Sequence, residues 1–252
     1  MTVATRRGLL AGGCAFCCSP VHGLTWPEST SCVEPSGSRT SSEGCEPDPA
    51  SAISILQRAK VRVDIDQADS EKWVITQADV ASSIFNTLNV SPELMLFAGD
   101  ADENAFAINK RLSATCGYEA AILIGYTLAR RVFRYYGRNW VSVLAFIIAH
   151  ESGHIRQFQA ARPPKGVKAE LHADFLGGWT LARITRGTWA AEALSAVFNE
   201  IQSTGAGVTG TPTYHGTATQ RLTAVKAGYE LALSGAGNAD SAFGRGLTHV
   251  GL

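Results

Sequence analysis

The chain has 252 residues, 45% of them hydrophobic, and its 22 basic and 22 acidic residues balance to a formal net charge of zero. That length makes one domain or two small ones, with enough apolar side chains for a real core. A neutral balance carries no basic footprint for nucleic acid and implies no strongly acidic partner.

Residues 1–23 read as a targeting segment rather than as part of the fold. Arg6 and Arg7 precede an apolar, small-residue run from Gly8 to Cys18, and Val21-His22-Gly23 offers a small-residue cleavage site. The expected destination is the periplasm or the medium. Thr5-Arg6-Arg7-Gly8-Leu9-Leu10 also fits a twin-arginine signal, whose pathway carries folded proteins; a general secretory signal is the alternative. Cys14, behind Leu10-Ala11-Gly12-Gly13, leaves a lipid anchor as a lesser option. Residues 24–49 shift to Ser, Pro, Glu and Gly with almost no aliphatic side chains, which reads as a flexible linker. Cys32 and Cys45 within it would either pair in an oxidising compartment or stay as free thiols. Cys116 reads as a buried thiol, since no basic partner stands at a recognisable spacing.

The folded domain is expected over residues 50–235. Residues 53–56 suit a short helix or strand, residues 61–65 alternate like a strand, and residues 78–88 carry helical spacing. Residues 94–98 read as a strand ended by a turn at Gly99-Asp100-Ala101-Asp102. Asn104-Ala105-Phe106-Ala107-Ile108 suits a hairpin strand, and residues 119–125 another strand. A helix over residues 127–136 follows, Gly137 breaks it, and Asn139 stands where it can cap the next. Arg130, Arg131, Arg134 and Arg138 read as a solvated helix face.

Residues 140–148 are almost wholly apolar, which suits a buried helix and is too short to cross a bilayer. That helix then carries His150-Glu151-Ser152-Gly153-His154. A four-residue step puts both imidazoles on one helical face, with a glutamate beside them, the spacing of a zinc site and its base. A catalytic zinc keeps three protein ligands and leaves its fourth position to water. After a turn at Arg162-Pro163-Pro164-Lys165-Gly166, a helix over residues 167–186 presents Glu170 sixteen residues beyond His154, with Asp174 one turn further on the same face. Glu170 is assigned as third ligand, and Asp174 as the acceptor that fixes the tautomer of a ligand His. His172 competes for the ligand role, but its offset of two turns it around the helix. Gly177-Gly178 costs that helix about 1 kcal/mol per glycine, which close packing on the zinc helix would explain. A helix is expected over residues 188–202, a lid or substrate wall over 203–213, another helix ending near residue 233, and a flexible Gly-rich tail over 236–252.

His-Glu-x-x-His followed by Glu-x-x-x-Asp resembles the gluzincin metallopeptidases. His150–His154 together with Glu170-Leu171-His172-Ala173-Asp174-Phe175-Leu176-Gly177-Gly178 is most similar to the bacterial neutral zinc metallopeptidase group. The resemblance implies a zincin-like α+β domain, mostly helical, with a small sheet and an active-site helix. It also implies that Asn104, Ala105, Phe106 and Ala107 form the edge strand against which an extended substrate lies. His215-Gly216-Thr217-Ala218-Thr219-Gln220-Arg221 matches a further segment of that group. There His215 would donate to the oxyanion, or else Thr217 would cap a helix that His215 and Arg221 tie to the zinc helix or the Glu170 helix. The expected function is an exported zinc-dependent peptidase with Glu151 as general base, acting on peptides or proteins, without nucleic acid and without a membrane span in the mature chain. The alternatives are a zinc-stabilised, non-catalytic peptide-binding module and a zinc hydrolase of non-peptide amides.

Overall fold

The computed structural model describes residues 79–97, 103–109, 120–204, 215–235 and 237–252. The targeting segment, linker, Cys32 and Cys45, Cys116, the elements of residues 53–65, the turn at residues 99–102 and nearly all of the loop over 203–213 lie outside them.

Helix α1 occupies residues 79–88 and leads into strand β1 at Glu93–Phe97. Strand β2 is Ala105–Ile108 and β3 is Ala121–Gly125, in the order β1-β3-β2. β3 runs parallel to β1, pairing Glu93 with Ala121 through Phe97 with Gly125. β2 is antiparallel to it, pairing Ala105 with Ile124 through Ile108 with Ala121. β3 is buried throughout, as a continuous apolar run requires of a central strand. Among the described residues β2 is therefore an edge strand, and it lies against the long helix that follows.

Helix α2, Tyr126–Tyr136, starts directly from β3 and stops at Gly137, whose φ of +49° suits glycine. A 3-10 turn, Gly137–Asn139, feeds helix α3, Trp140–Phe158. Asn139 does not cap α3 with its side chain. At φ −93° and ψ 1° its backbone is not the extended one from which a carboxamide reaches back, and the Trp140 N–H donates to Gly137 O instead. α3 has Val143, Leu144, Ile148 and Ala149 almost fully buried. Val143, Leu144 and Ile148 each contribute about 1.5–3 kcal/mol.

Helices α4 (Val167–Thr185), α5 (Ala191–Thr204), α6 (Ala218–Leu233) and α7 (Ala239–His249) complete the fold. Arg130, Arg131, Arg134 and Arg138 are all exposed, as a solvated helix face requires, and Arg131 also makes an ion pair from that face. Its guanidinium forks onto buried Glu200 of α5 at 3.0 and 2.5 Å, and the Tyr136 hydroxyl donates to the same carboxylate at 2.8 Å. The double glycine of α4 serves two neighbours. A Cβ on Gly177 would sit 3.2 Å from the Phe146 ring of α3, whereas one on Gly178 would lie 2.0 Å from Val225 O of α6. Gly228 of α6 returns the approach, 1.9 Å from Phe175 O, so glycines on both helices bring these backbones together.

The expected flexible tail is the clearest correction. Residues 239–249 form a helix capped by Asn238, whose Oδ1 accepts from the Ser241 N–H at 3.0 Å. Its glycines were the misleading signal: a Cβ on Gly246 would come within 2.7 Å of His172, so the composition that suggested mobility serves close packing on α4.

Candidate metal centre

Two small-residue contacts set the distance between α3 and α4. Gly153 faces Ala173, where an added Cβ would meet its Cα at 3.1 Å, and Gly177 faces Phe146. At that separation His150 and His154 meet the first turn of α4, which presents Glu170. The two Nε2 atoms are 3.2 Å apart. Glu170 Oε2 lies 3.5 Å from His150 Nε2, and Oε1 lies 3.5 Å from His154 Nε2. One donor atom from each residue falls within 4.8 Å of the other two, and all three side chains are buried.

The far nitrogen of each imidazole is already committed. His150 Nδ1 lies 2.9 Å from Asp174 Oδ1, so this ring donates to a carboxylate one turn beyond Glu170. Asp174 is in turn clamped by Arg221 of α6, Nε to Oδ2 and a terminal nitrogen to Oδ1, both at 2.8 Å. His154 Nδ1 lies 3.0 Å from Gln157 Oε1. With both Nδ1–H groups donating outward, both Nε2 lone pairs face inward across 3.2 Å. Two such lone pairs beside a carboxylate repel one another unless a cation stands between them, so this donor set fits a divalent metal ion.

The electrostatics agree. Burial works to lower the His150 pKa, but the Asp174 charge and the hydrogen bonds to Asp174 and Glu170 outweigh it and raise it to about 10. His154 is raised in the same way, by Glu170 against burial. Burial would raise Glu170, yet His154, His150 and His215 hold it well below the usual carboxylate range. Asp174 is likewise lowered, Arg221 overriding its burial. The centre therefore attracts positive charge to its imidazoles, and a metal ion would replace those protons.

Glu151 sits one residue along α3, 4% exposed, with Oε2 buried and without a hydrogen-bond partner. Burial raises its pKa, partly offset by His150 and His154. His215, just ahead of α6, brings Nδ1 to 2.6 Å from Glu170 Oε2. Thr217 forms a full capping box with Gln220 at the start of α6. Asn104 through Ala107 occupy the edge strand and its approach. Asn104 O accepts from the Gly125 N–H at 2.9 Å, Ala105 and Ala107 are buried, and Phe106 packs on Phe97 with ring centroids 5.9 Å apart.

His172 is turned away from the centre, its Nδ1 at Gln157 Nε2 and its Nε2 at Phe243 O, each at 3.0 Å. Burial lowers its pKa to about 4, which keeps the ring neutral. Sequence reasoning passed over Gln157. The signal was available, because Gln157 stands three residues after His154 on one buried helix face. Comparison with protein-family models, with curated proteins and with solved structures finds no match.

Proposed function

We propose that the chain is a zinc-dependent peptidase, exported by the segment behind Arg6 and Arg7. The observation that carries this reading is the buried, unpartnered Glu151 oxygen beside a His-His-Glu donor set. A purely structural metal site has no task for such a group, whereas water activation requires one.

His150 Nε2, His154 Nε2 and a Glu170 oxygen would hold the ion. Zinc in such a site supplies Lewis acidity and lowers the pKa of a water toward about 7. The chain's own residues perform the rest. Asp174, braced by Arg221, and Gln157 keep the two imidazoles in the tautomer that can ligate. Glu151, its pKa raised by desolvation, takes the proton of the attacking water and returns it to the leaving amine. β2, an edge strand among the described residues, offers that edge to an extended peptide, a contact that binds main chain without reading side chains closely. His215 holds the Glu170 carboxylate in place through its Nδ1 contact.

The test is digestion of casein and of a peptide library by the zinc-loaded chain and by Glu151→Gln. The variant should keep stoichiometric zinc and lose about 10²–10⁴-fold in rate. Undiminished cleavage by Glu151→Gln would remove the general base from this reading.

A further inference from the structure

The hydrogen bonds around His154 run well beyond the metal centre, and their direction is fixed by elementary donor counting. Phe243 O, a main-chain carbonyl of α7, can only accept, and His172 Nε2 lies 3.0 Å from it. His172 therefore carries its proton on Nε2, and Nδ1 is left as an acceptor. Gln157 Nε2 lies 3.0 Å from that Nδ1 and 2.8 Å from Ala169 O, a second group that can only accept. Both neighbours demand the NH₂ side of the amide, so Gln157 must turn Oε1 toward His154. His154 then holds its proton on Nδ1, and its Nε2 lone pair faces Glu170 and His150. Were the amide reversed, its NH₂ would donate to His154 Nδ1, the proton would move to Nε2, and His154 could not ligate.

We infer that Gln157 and His172 are positioning residues through which the main chain of helix α7 dictates the ligating tautomer of His154. This rests on the metal-centre reading given above. α7 is held for the task by contacts on both sides of the relay. Arg156, next to Gln157, pairs with Asp240 of α7, and the Lys168 ammonium donates to Gly251 O at 2.9 Å. Gly246 gives His172 its place, since an added Cβ would lie 2.7 Å from the ring. His150 is served by a separate chain, Arg221 to Asp174 to His150, so the two imidazoles are set independently.

The experiment uses the full chain and Zn²⁺ itself, with affinity read by competition against a chromophoric chelator and folding by circular dichroism. Gln157→Leu should stay folded and bind Zn²⁺ about 10–100-fold more weakly, the usual loss for an outer partner of a ligand imidazole. Gln157→Glu should recover most of that affinity, because a carboxyl group still accepts from His154 Nδ1–H and, when protonated, donates to Ala169 O. Leucine binding Zn²⁺ as tightly as glutamine, or glutamate faring no better than leucine, overturns the inference. A second measurement needs no variant: ¹⁵N chemical shifts of His172, which burial keeps neutral, should show its proton on Nε2 and an unprotonated Nδ1 in the metal-free chain at pH 8. The opposite tautomer at His172 overturns the relay even if Gln157→Leu does not fold. If the wild-type chain takes up no Zn²⁺, the metal reading fails, and those shifts alone decide the relay.

Discussion

At the scale of single residues Asp174 shows how a buried charge of the centre is held by partners on both of its oxygens. Asp174 is fully buried and answers to His150 on one oxygen and to the Arg221 fork on both. Removing one partner of a buried pair costs far more than the pair contributes, typically about 3–5 kcal/mol. Arg221→Met should therefore destabilise the chain by that amount in denaturant unfolding, and a loss below about 1 kcal/mol would show that Asp174 does not depend on Arg221. His172 makes the opposite case, a group kept neutral. Its folded-state pKa of about 4 lies below the ordinary histidine value of about 6.5. Between those values the unfolded chain binds a proton that the folded chain refuses, so stability present above pH 6.5 is lost as pH falls toward 4. The difference amounts to up to about 3 kcal/mol. His172→Asn, which keeps an acceptor for Gln157, should flatten that part of the stability profile; a variant with the wild-type slope would assign the acid sensitivity elsewhere.

At the scale of elements the fold turns on where helices can touch. Gly178 and Gly228 let α4 and α6 cross with backbone against backbone, where an added methyl would overlap a carbonyl at 2.0 or 1.9 Å. Gly178→Ala or Gly228→Ala should each cost at least about 1–3 kcal/mol by forcing the helices apart. Gly244 of α7 has nothing within 4 Å, so Gly244→Ala should stabilise by about 0.5–1 kcal/mol through helix propensity alone. Thermal unfolding of the three variants reads both signs at once, and a uniform response would mean that the crossing is not tight. These glycines also explain which elements were legible in the sequence. β1, β2, β3 and helices α2 to α6 announced themselves by apolar periodicity and by punctuation at Gly137 and Gly166, and their ends differ by only a few residues from those expected. α7 did not, because glycine is the same letter whether it loosens a chain or admits a neighbour, and only the His172 ring beside Gly246 distinguishes the two.

At the scale of the whole molecule the question is whether the metal centre holds the fold together or rests upon it. Donor residues were readable from sequence because a ligand spacing is local: His150 and His154 share one turn, and Glu170 and Asp174 share another. The outer partners were harder, since Gln157 earns its role only through Ala169 and His172, and Arg221 only through a helix crossing forty-seven residues from Asp174. Those partners adjoin a core built from residues other than the donors. Val143, Leu144 and Ile148 of α3, the whole of β3 and the α4–α6 crossing are buried apart from the ligands. The centre can also neutralise itself, because its carboxylates raise both imidazole pKa values and so replace a lost cation with protons. On the peptidase reading, removing the metal with a chelator at pH 7 should therefore abolish hydrolysis while leaving the helical circular dichroism intact. The unfolding midpoint should fall only by the linkage of a bound ion, about 3–4 kcal/mol at a hundred- to thousandfold saturation, or roughly 6–16 °C for a domain of this size. A metal-stabilised binding module predicts the reverse, loss of cooperative unfolding together with the ion, and that result would favour the structural role over the catalytic one.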